Sequence, residues 1–298
     1  MPHVEPGSDF YQVLEDTARE LYIRAQKDIP PGVREAVNKA LERETDPMVK
    51  QIFTTMKRAI QLGDERDMLV CQDTGIPVYY VTIGTALNVD GARIRDAISA
   101  GVARATVEHP LRSSVVSPIK RENRQNSTGK GIPVIHWDFR PDADYLDILM
   151  IPKGSGSEQM TFLKMLVPAD GVNGIKKFVI DCALQAGANP CPPTIVGVGV
   201  GGTAEVCVGL AKKAAYRQVG SRNPDPDLAA LEEELLAAIN KLGLGPQGLG
   251  GMTYAFDVHV EDAWTHITQN PVAVSFQCWR GERRTAKLYA DGRVEVGY

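Results

Sequence analysis

No apolar run in this sequence approaches the ~20 residues that a bilayer-spanning helix requires. The first ten residues, M-P-H-V-E-P-G-S-D-F, hold no apolar stretch of the kind a secretory signal needs. There is no excess of positive charge either. A formal net charge of -4 argues against the basic surface of a nucleic-acid-binding protein. Internal repeats and low-complexity linkers are missing. Cysteine is scarce and odd in number: Cys71, Cys182, Cys191, Cys207 and Cys278, with no C-x-x-C spacing. That count argues against a disulfide framework and leaves each thiol as core residue, nucleophile or metal ligand. A cytoplasmic protein with neither a membrane nor a nucleic-acid partner is expected.

What is present is an ordinary globular composition over 298 residues, 43% hydrophobic and 23% charged. Apolar residues recur at helical spacing from about residue 9 to 63, with Asp46-Pro47 as a helix start. M-L-V-C and V-Y-Y-V-T-I are expected as strands on either side of the turn at Asp73–Pro77. A helix follows and ends before His109-Pro110. Beyond it, Y-L-D-I-L-M-I is expected as a strand, K-G-S-G-S-E as a turn, and F-L-K-M-L and I-K-K-F-V-I-D-C-A-L as helices. T-I-V-G-V-G-V is a buried-type strand before another helix. After a helix over L-A-A-L-E-E-E-L-L and a glycine-rich loop from Gly243 to Gly251, the C-terminal region is strand-rich and closes in a hairpin at Asp291-Gly292. The expected fold class is α/β: a helical N-terminal region plus mixed β-sheets flanked by helices, in a single domain.

Several features could carry chemistry. Cys182 and Cys207 lie inside apolar helical stretches and read as small buried hydrophobes. Cys71, Cys191 and Cys278 lie at element ends, where functional groups are usually presented. Three thiolates are one short of a closed zinc site and of a fully ligated cubane cluster, so an iron left open could act as a Lewis acid. Gly197, Gly199 and Gly202 match G-x-G-x-x-G, but no second strand ending in an acid follows about 20 residues on. A tight strand–helix packing turn explains them better. Arg112, after His109-Pro110-Leu111, has the fork geometry for a carboxylate. The small residues of K-G-S-G-S-E expose N–H groups able to hold an anion. His266, in T-H-I-T, precedes the strand that leads to Cys278.

Taken in order, C-Q-D-T-G, K-G-S-G-S-E, N-P-C-P-P-T-I-V-G-V-G-V-G-G-T, G-L-G-P-Q-G-L-G-G, T-H-I-T and Q-C-W-R span almost the whole chain. This ordered set resembles the alpha subunit of the class I (iron–sulfur) fumarate hydratase and L-tartrate dehydratase family. The resemblance implies a [4Fe–4S] cluster bound by Cys71, Cys191 and Cys278, with one iron not held by cysteine. It implies that Gln72, Arg112 and Gly154 bind substrate, that Asp73 is the acid–base group and that His266 binds and orients. The implied reaction is reversible hydration of a C4 dicarboxylate, fumarate favoured and L-tartrate a close second. Residues 1–298 would form the cluster-binding domain. Single-chain members continue into a second, swivelling domain, so a beta subunit on a separate chain and an alpha2beta2 assembly are expected. Two other classes remain at this stage: an NAD-dependent oxidoreductase resting on the glycines, and a non-catalytic assembly subunit with structural zinc.

Overall fold

The computed structural model describes residues 3–109 and 111–298. Pro110 of the H-P-L-R segment lies outside the described residues. In chain order the elements are α1 (Phe10–Lys27), α2 (Pro31–Arg43), α3 (Pro47–Arg66), β1 (Ile76–Gly84), α4 (Gly91–Glu108), β2 (Val134–Arg140), β3 (Tyr145–Lys153) and α5 (Ser155–Glu158). They continue as β4 (Phe162–Leu166), α6 (Gly171–Ala186), β5 (Thr194–Gly201), α7 (Ala204–Ala215), α8 (Pro226–Asn240), β6 (Ala255–Ala263), β7 (Asn270–Gln277), β8 (Arg284–Tyr289) and β9 (Val294–Gly297). This is the expected mixed α/β fold. Its contacts divide it into two compact units: Met1–Asp28, Leu62–Gly154 and Glu282–Tyr298 in the first, Ile29–Gln61 and Ser155–Gly281 in the second.

The first unit is built on a five-stranded sheet ordered β2-β1-β3-β8-β9. Strand alternation puts Tyr79 and Val81 of β1 on one face, and the antiparallel register sets them opposite Met150 and Ile148 of β3. All four are buried, together with Phe10, Leu14 and Leu21 of α1 and Ile94, Ile98 and Val102 of α4. Each buried aliphatic contributes about 1.5–3 kcal/mol by leaving water. The two helices meet closely because Gly101 has no side chain: a Cβ there would lie 2.4 Å from the Glu15 carbonyl oxygen. Arg104 then reaches Glu15 and Asp16, each at 2.7 Å.

The second unit is built on a four-stranded sheet ordered β4-β7-β5-β6. β5 runs parallel to β6 and antiparallel to β7. Its two faces are both covered, which is why its residues are apolar without alternation. Val196 and Val198 point into a core with Val179 of α6 and Leu235 and Ile239 of α8. Gly197 and Gly199 face α7. A Cβ at Gly197 would lie 2.0 Å from the Ala211 carbonyl oxygen, and one at Gly199 would lie 2.1 Å from that of Cys207. The glycine pattern is therefore the packing of helix backbone on strand backbone.

Three local expectations are corrected. F-L-K-M-L is the edge strand β4, paired antiparallel with β7 from Phe162↔Val274 to Leu166↔Asn270. Five residues fit either periodicity, and the open edge of β7 offers a ladder that an isolated helical turn cannot match. M-L-V-C is not a strand but irregular chain. K-G-S-G-S-E contains the single-turn helix α5. The strand β2, V-I-H-W-D-F-R, was not anticipated; it pairs parallel with β1. The Asp46 cap is as expected, with its Oδ1 accepting from the Met48 N–H at 2.8 Å. Among the described residues no helix is long and apolar enough to cross a membrane.

Candidate active site

The residues singled out in the sequence fall in both units. Cys71, Gln72, Asp73, Arg112 and Gly154 belong to the first; Cys191, Cys278 and His266 belong to the second.

In the first unit the segment Cys71–Gly75 enters β1 as a tight turn. The Asp73 N–H donates to Cys71 Sγ at 3.4 Å, and Asp73 Oδ1 accepts from the Gly75 N–H at 3.1 Å. These bonds tie the thiol and the carboxylate into one rigid local unit. Gly75 has φ +65, and a Cβ there would lie 2.6 Å from the Lys153 carbonyl carbon, so only glycine fits. A Cβ at Gly154 would lie 3.1 Å from Asp73 Oδ2, so Gly154 borders the carboxylate directly. Buried Thr74 joins the turn to the rest. Its hydroxyl donates to the Arg112 carbonyl. Its own carbonyl accepts from Gln26 Nε2 at 2.6 Å and from the Tyr22 hydroxyl at 3.2 Å. Burial pushes the Tyr22 phenol up to about 12, and the nearby Asp73 charge acts in the same direction. Thr74, a residue that sequence reasoning passed over, thus ties the Asp73 turn to the Arg112 backbone, while Gly154 meets the turn at the Asp73 carboxylate. Arg112 opens a long irregular segment before β2. Asn123 knots that segment, accepting from the Ser113 hydroxyl at 3.0 Å and donating to the Ser113 carbonyl at 2.9 Å.

In the second unit Cys191 is exposed and has φ +54, a left-handed conformation uncommon for residues other than glycine, asparagine and aspartate. Its N–H donates to the Ala188 carbonyl at 3.0 Å, and its carbonyl accepts from the Trp279 N–H at 3.2 Å. The second bond sets the Cys191 turn beside the end of β7, where Cys278 is half-buried. His266 lies elsewhere. Thr265, its neighbour, donates to the Gly202 carbonyl at 2.9 Å, which places the loop at the far end of β5 from Cys191. Eight-residue strands separate the two ends by roughly 25 Å. The ring's Nδ1 lies 2.8 Å from the Thr268 hydroxyl and accepts from the Thr268 N–H at 3.2 Å. The loop is open: Trp264 is 99% and Ile267 is 87% exposed.

The remaining thiols behave differently. Burial pushes Cys182 up to about 12 and Cys207 up to about 11, so neither supplies a thiolate at neutral pH. Among the described residues no three His, Cys, Asp or Glu side chains converge on one metal ion. Thiolates bound to separate irons of a cubane do not need to converge in that way.

Comparison with known proteins identifies the family. The model of the family described as "Fumarate hydratase (Fumerase)" matches residues 15–287. A Methanocaldococcus jannaschii protein named "Putative L(+)-tartrate dehydratase subunit alpha" is 40% identical over 283 residues, covering 94% of this chain and 99% of the relative. The Escherichia coli K12 protein named "L(+)-tartrate dehydratase subunit alpha" is 35% identical over 263 residues, 88% of this chain and 86% of the relative. A Shigella sonnei protein of the same name matches to the same extent. The chain belongs to the fumarate hydratase (Fumerase) family and is a hydro-lyase.

Proposed function

We propose that this chain is the alpha, cluster-binding subunit of an iron–sulfur hydro-lyase that reversibly hydrates a C4 dicarboxylate. The observation that carries the reading is the Cys191 turn, an exposed thiol in a left-handed conformation, hydrogen-bonded to the strand end that bears Cys278. Backbone conformations of this cost persist where the surroundings impose them, commonly at functional sites. The donor set fits a [4Fe–4S] cluster. Cys71, Cys191 and Cys278 are accessible and stand on irregular segments, while the two buried thiols are held protonated. When bound, the cluster supplies one iron without a cysteine, a Lewis acid toward a substrate oxygen.

The chain's own residues account for binding and proton transfer. Arg112 pairs its guanidinium with a substrate carboxylate in bidentate fashion, and Gln72 and the Gly154 backbone bind further oxygens. Asp73, whose carboxylate is oriented by the Gly75 N–H, is the group that moves the proton. The separation of His266 from its own chain's Cys191 and Cys278 means that it would serve the site of a second alpha chain. Its open loop, with Trp264 and Ile267 exposed, suits such a contact. That arrangement accords with an alpha2beta2 assembly. The name "subunit alpha" on the relatives supports a beta partner. Residues 1–298 then form the cluster-binding domain, with the second domain on the separate chain. Fumarate was favoured on sequence motifs; the relatives' names weigh toward L-tartrate, so both substrates belong in the assay.

The test is anaerobic purification followed by iron and sulfide analysis of serine variants. Cys71→Ser, Cys191→Ser and Cys278→Ser are expected to lose the cluster, and Cys182→Ser and Cys207→Ser to keep about four irons per chain. Loss in Cys182→Ser as complete as in Cys191→Ser would overturn the ligand assignment.

A further inference from the structure

We infer that Gln247, in the glycine-rich loop after α8, is a positioning residue that clamps the Cys191 turn. The inference rests on the reading of Cys191 as a cluster ligand only for its functional meaning; the geometry stands by itself. Gln247 has φ +55. In that conformation it delivers two donors to one acceptor. Its backbone N–H reaches the Pro192 carbonyl at 2.9 Å, and its side-chain Nε2 reaches the same oxygen at 2.8 Å. The oxygen belongs to the residue that follows Cys191.

The surrounding glycines make this possible. A Cβ at Gly245 would lie 1.6 Å from the Gly250 carbonyl oxygen, and one at Gly248 would lie 2.7 Å from Ala188 Cβ. The loop therefore folds back on itself and lies against Ala188, the residue whose carbonyl accepts from the Cys191 N–H. Pro190, Pro192 and Pro193 donate no backbone hydrogen bonds. The Cys191 N–H, the Cys191 carbonyl and the Pro192 carbonyl each help to hold the turn, and at Pro192 the Gln247 side chain adds a second donor to the backbone one. A thiolate offered to a cluster from a left-handed residue needs such a restraint, because the turn's own backbone preference opposes the conformation.

The experiment measures amide hydrogen exchange in the full metal-free chain, read residue by residue by mass spectrometry. Gln247→Gly keeps the left-handed backbone and deletes the amide. Gln247→Glu keeps the length and replaces the donor with an acceptor. In both, the Cys191 N–H, which donates to the Ala188 carbonyl, is expected to exchange about fivefold faster, the factor set by one typical hydrogen bond. The Gly75 N–H of the Asp73 turn is expected to exchange at the parental rate, and the Cys207 N–H inside α7 to stay protected as the measure of folding. A Cys191 rate within twofold of the parent in both variants overturns the inference. So does an equal rise at Gly75, or loss of protection at Cys207, which reports general loosening. Failure of the parent chain to assemble a cluster would overturn the proposed function and leave this result intact.

Discussion

Gly154→Ala is the most direct probe of the carboxylate at the candidate site. Gly154 is outside the left-handed region, so alanine meets no backbone penalty there. The added methyl carbon lies 3.1 Å from Asp73 Oδ2 and 3.6 Å from Cγ. Ordinary contact begins near 3.4 Å, so the carboxylate must retreat by about 0.3 Å. It is tethered on the other side by the Gly75 N–H at 3.1 Å, and that bond lengthens or rotates. The expected cost in stability is that of one weakened hydrogen bond, about 1 kcal/mol. The cost in rate is larger in proportion. A misplacement of about 1 Å costs roughly a hundredfold, so about 0.3 Å costs about three- to fivefold. The assay is kcat for fumarate hydration and L-tartrate dehydration by the reconstituted alpha–beta complex, beside urea unfolding of the metal-free alpha chain. A parental kcat for both substrates would refute the placement of Asp73 in the chemistry. A stability loss beyond about 3 kcal/mol would refute the claim that only the carboxylate yields.

Two further outcomes are expected. Glu232, fully buried in the second unit, accepts from Arg217 at 2.6 Å, the Val260 N–H at 2.9 Å and the Asn223 N–H at 3.0 Å; Glu232→Leu strands the two backbone donors and leaves Arg217 with Glu261 at 3.3 Å, and should cost about 3 kcal/mol in urea unfolding, whereas a loss below about 1 kcal/mol would mean the network is dispensable. Burial raises the Cys182 and Cys207 thiols to about 12 and about 11, so the folded chain holds protons that the unfolded chain releases above about pH 8.5. The stability they contribute is complete below that pH and falls as pH rises toward those values. The slope is about 1.4 kcal/mol per pH unit for each thiol, and Cys182→Ala with Cys207→Ala should flatten it; an unchanged slope in the double variant would assign the alkaline loss to other groups.

A second buried carboxylate in this unit is Asp257. Burial alone would push its carboxyl up, but the His259 ring, the Gly220 N–H and the Arg222 guanidinium outweigh that and hold it below the ordinary range. None of this was visible in the sequence, where Glu232 is one acid in the run L-E-E-E-L. Its burial depends on which face of α8 meets the sheet.

Helical periodicity, the Asp46-Pro47 cap, the alternation of β3 and the Asp291-Gly292 hairpin were legible because each is set by neighbours within a few residues. The division of the five cysteines into two buried and three presented was legible for the same reason: flanking residues decide whether a thiol sits inside an apolar helix. F-L-K-M-L was not, since a five-residue apolar segment takes its form from whatever edge is open to it, here β7. The use of Gly197 and Gly199 was settled by the approach of α7, which no local pattern encodes. The sequence by itself determined the α/β class, most of the elements and the set of candidate thiols. Tertiary structure alone decided that Thr74 joins the Asp73 turn to Arg112, that Gln247 meets Pro192, and that His266 stands at the opposite end of β5 from Cys191. Those relations are set by strand register and helix packing, which bring together residues that are dozens of positions apart in the chain.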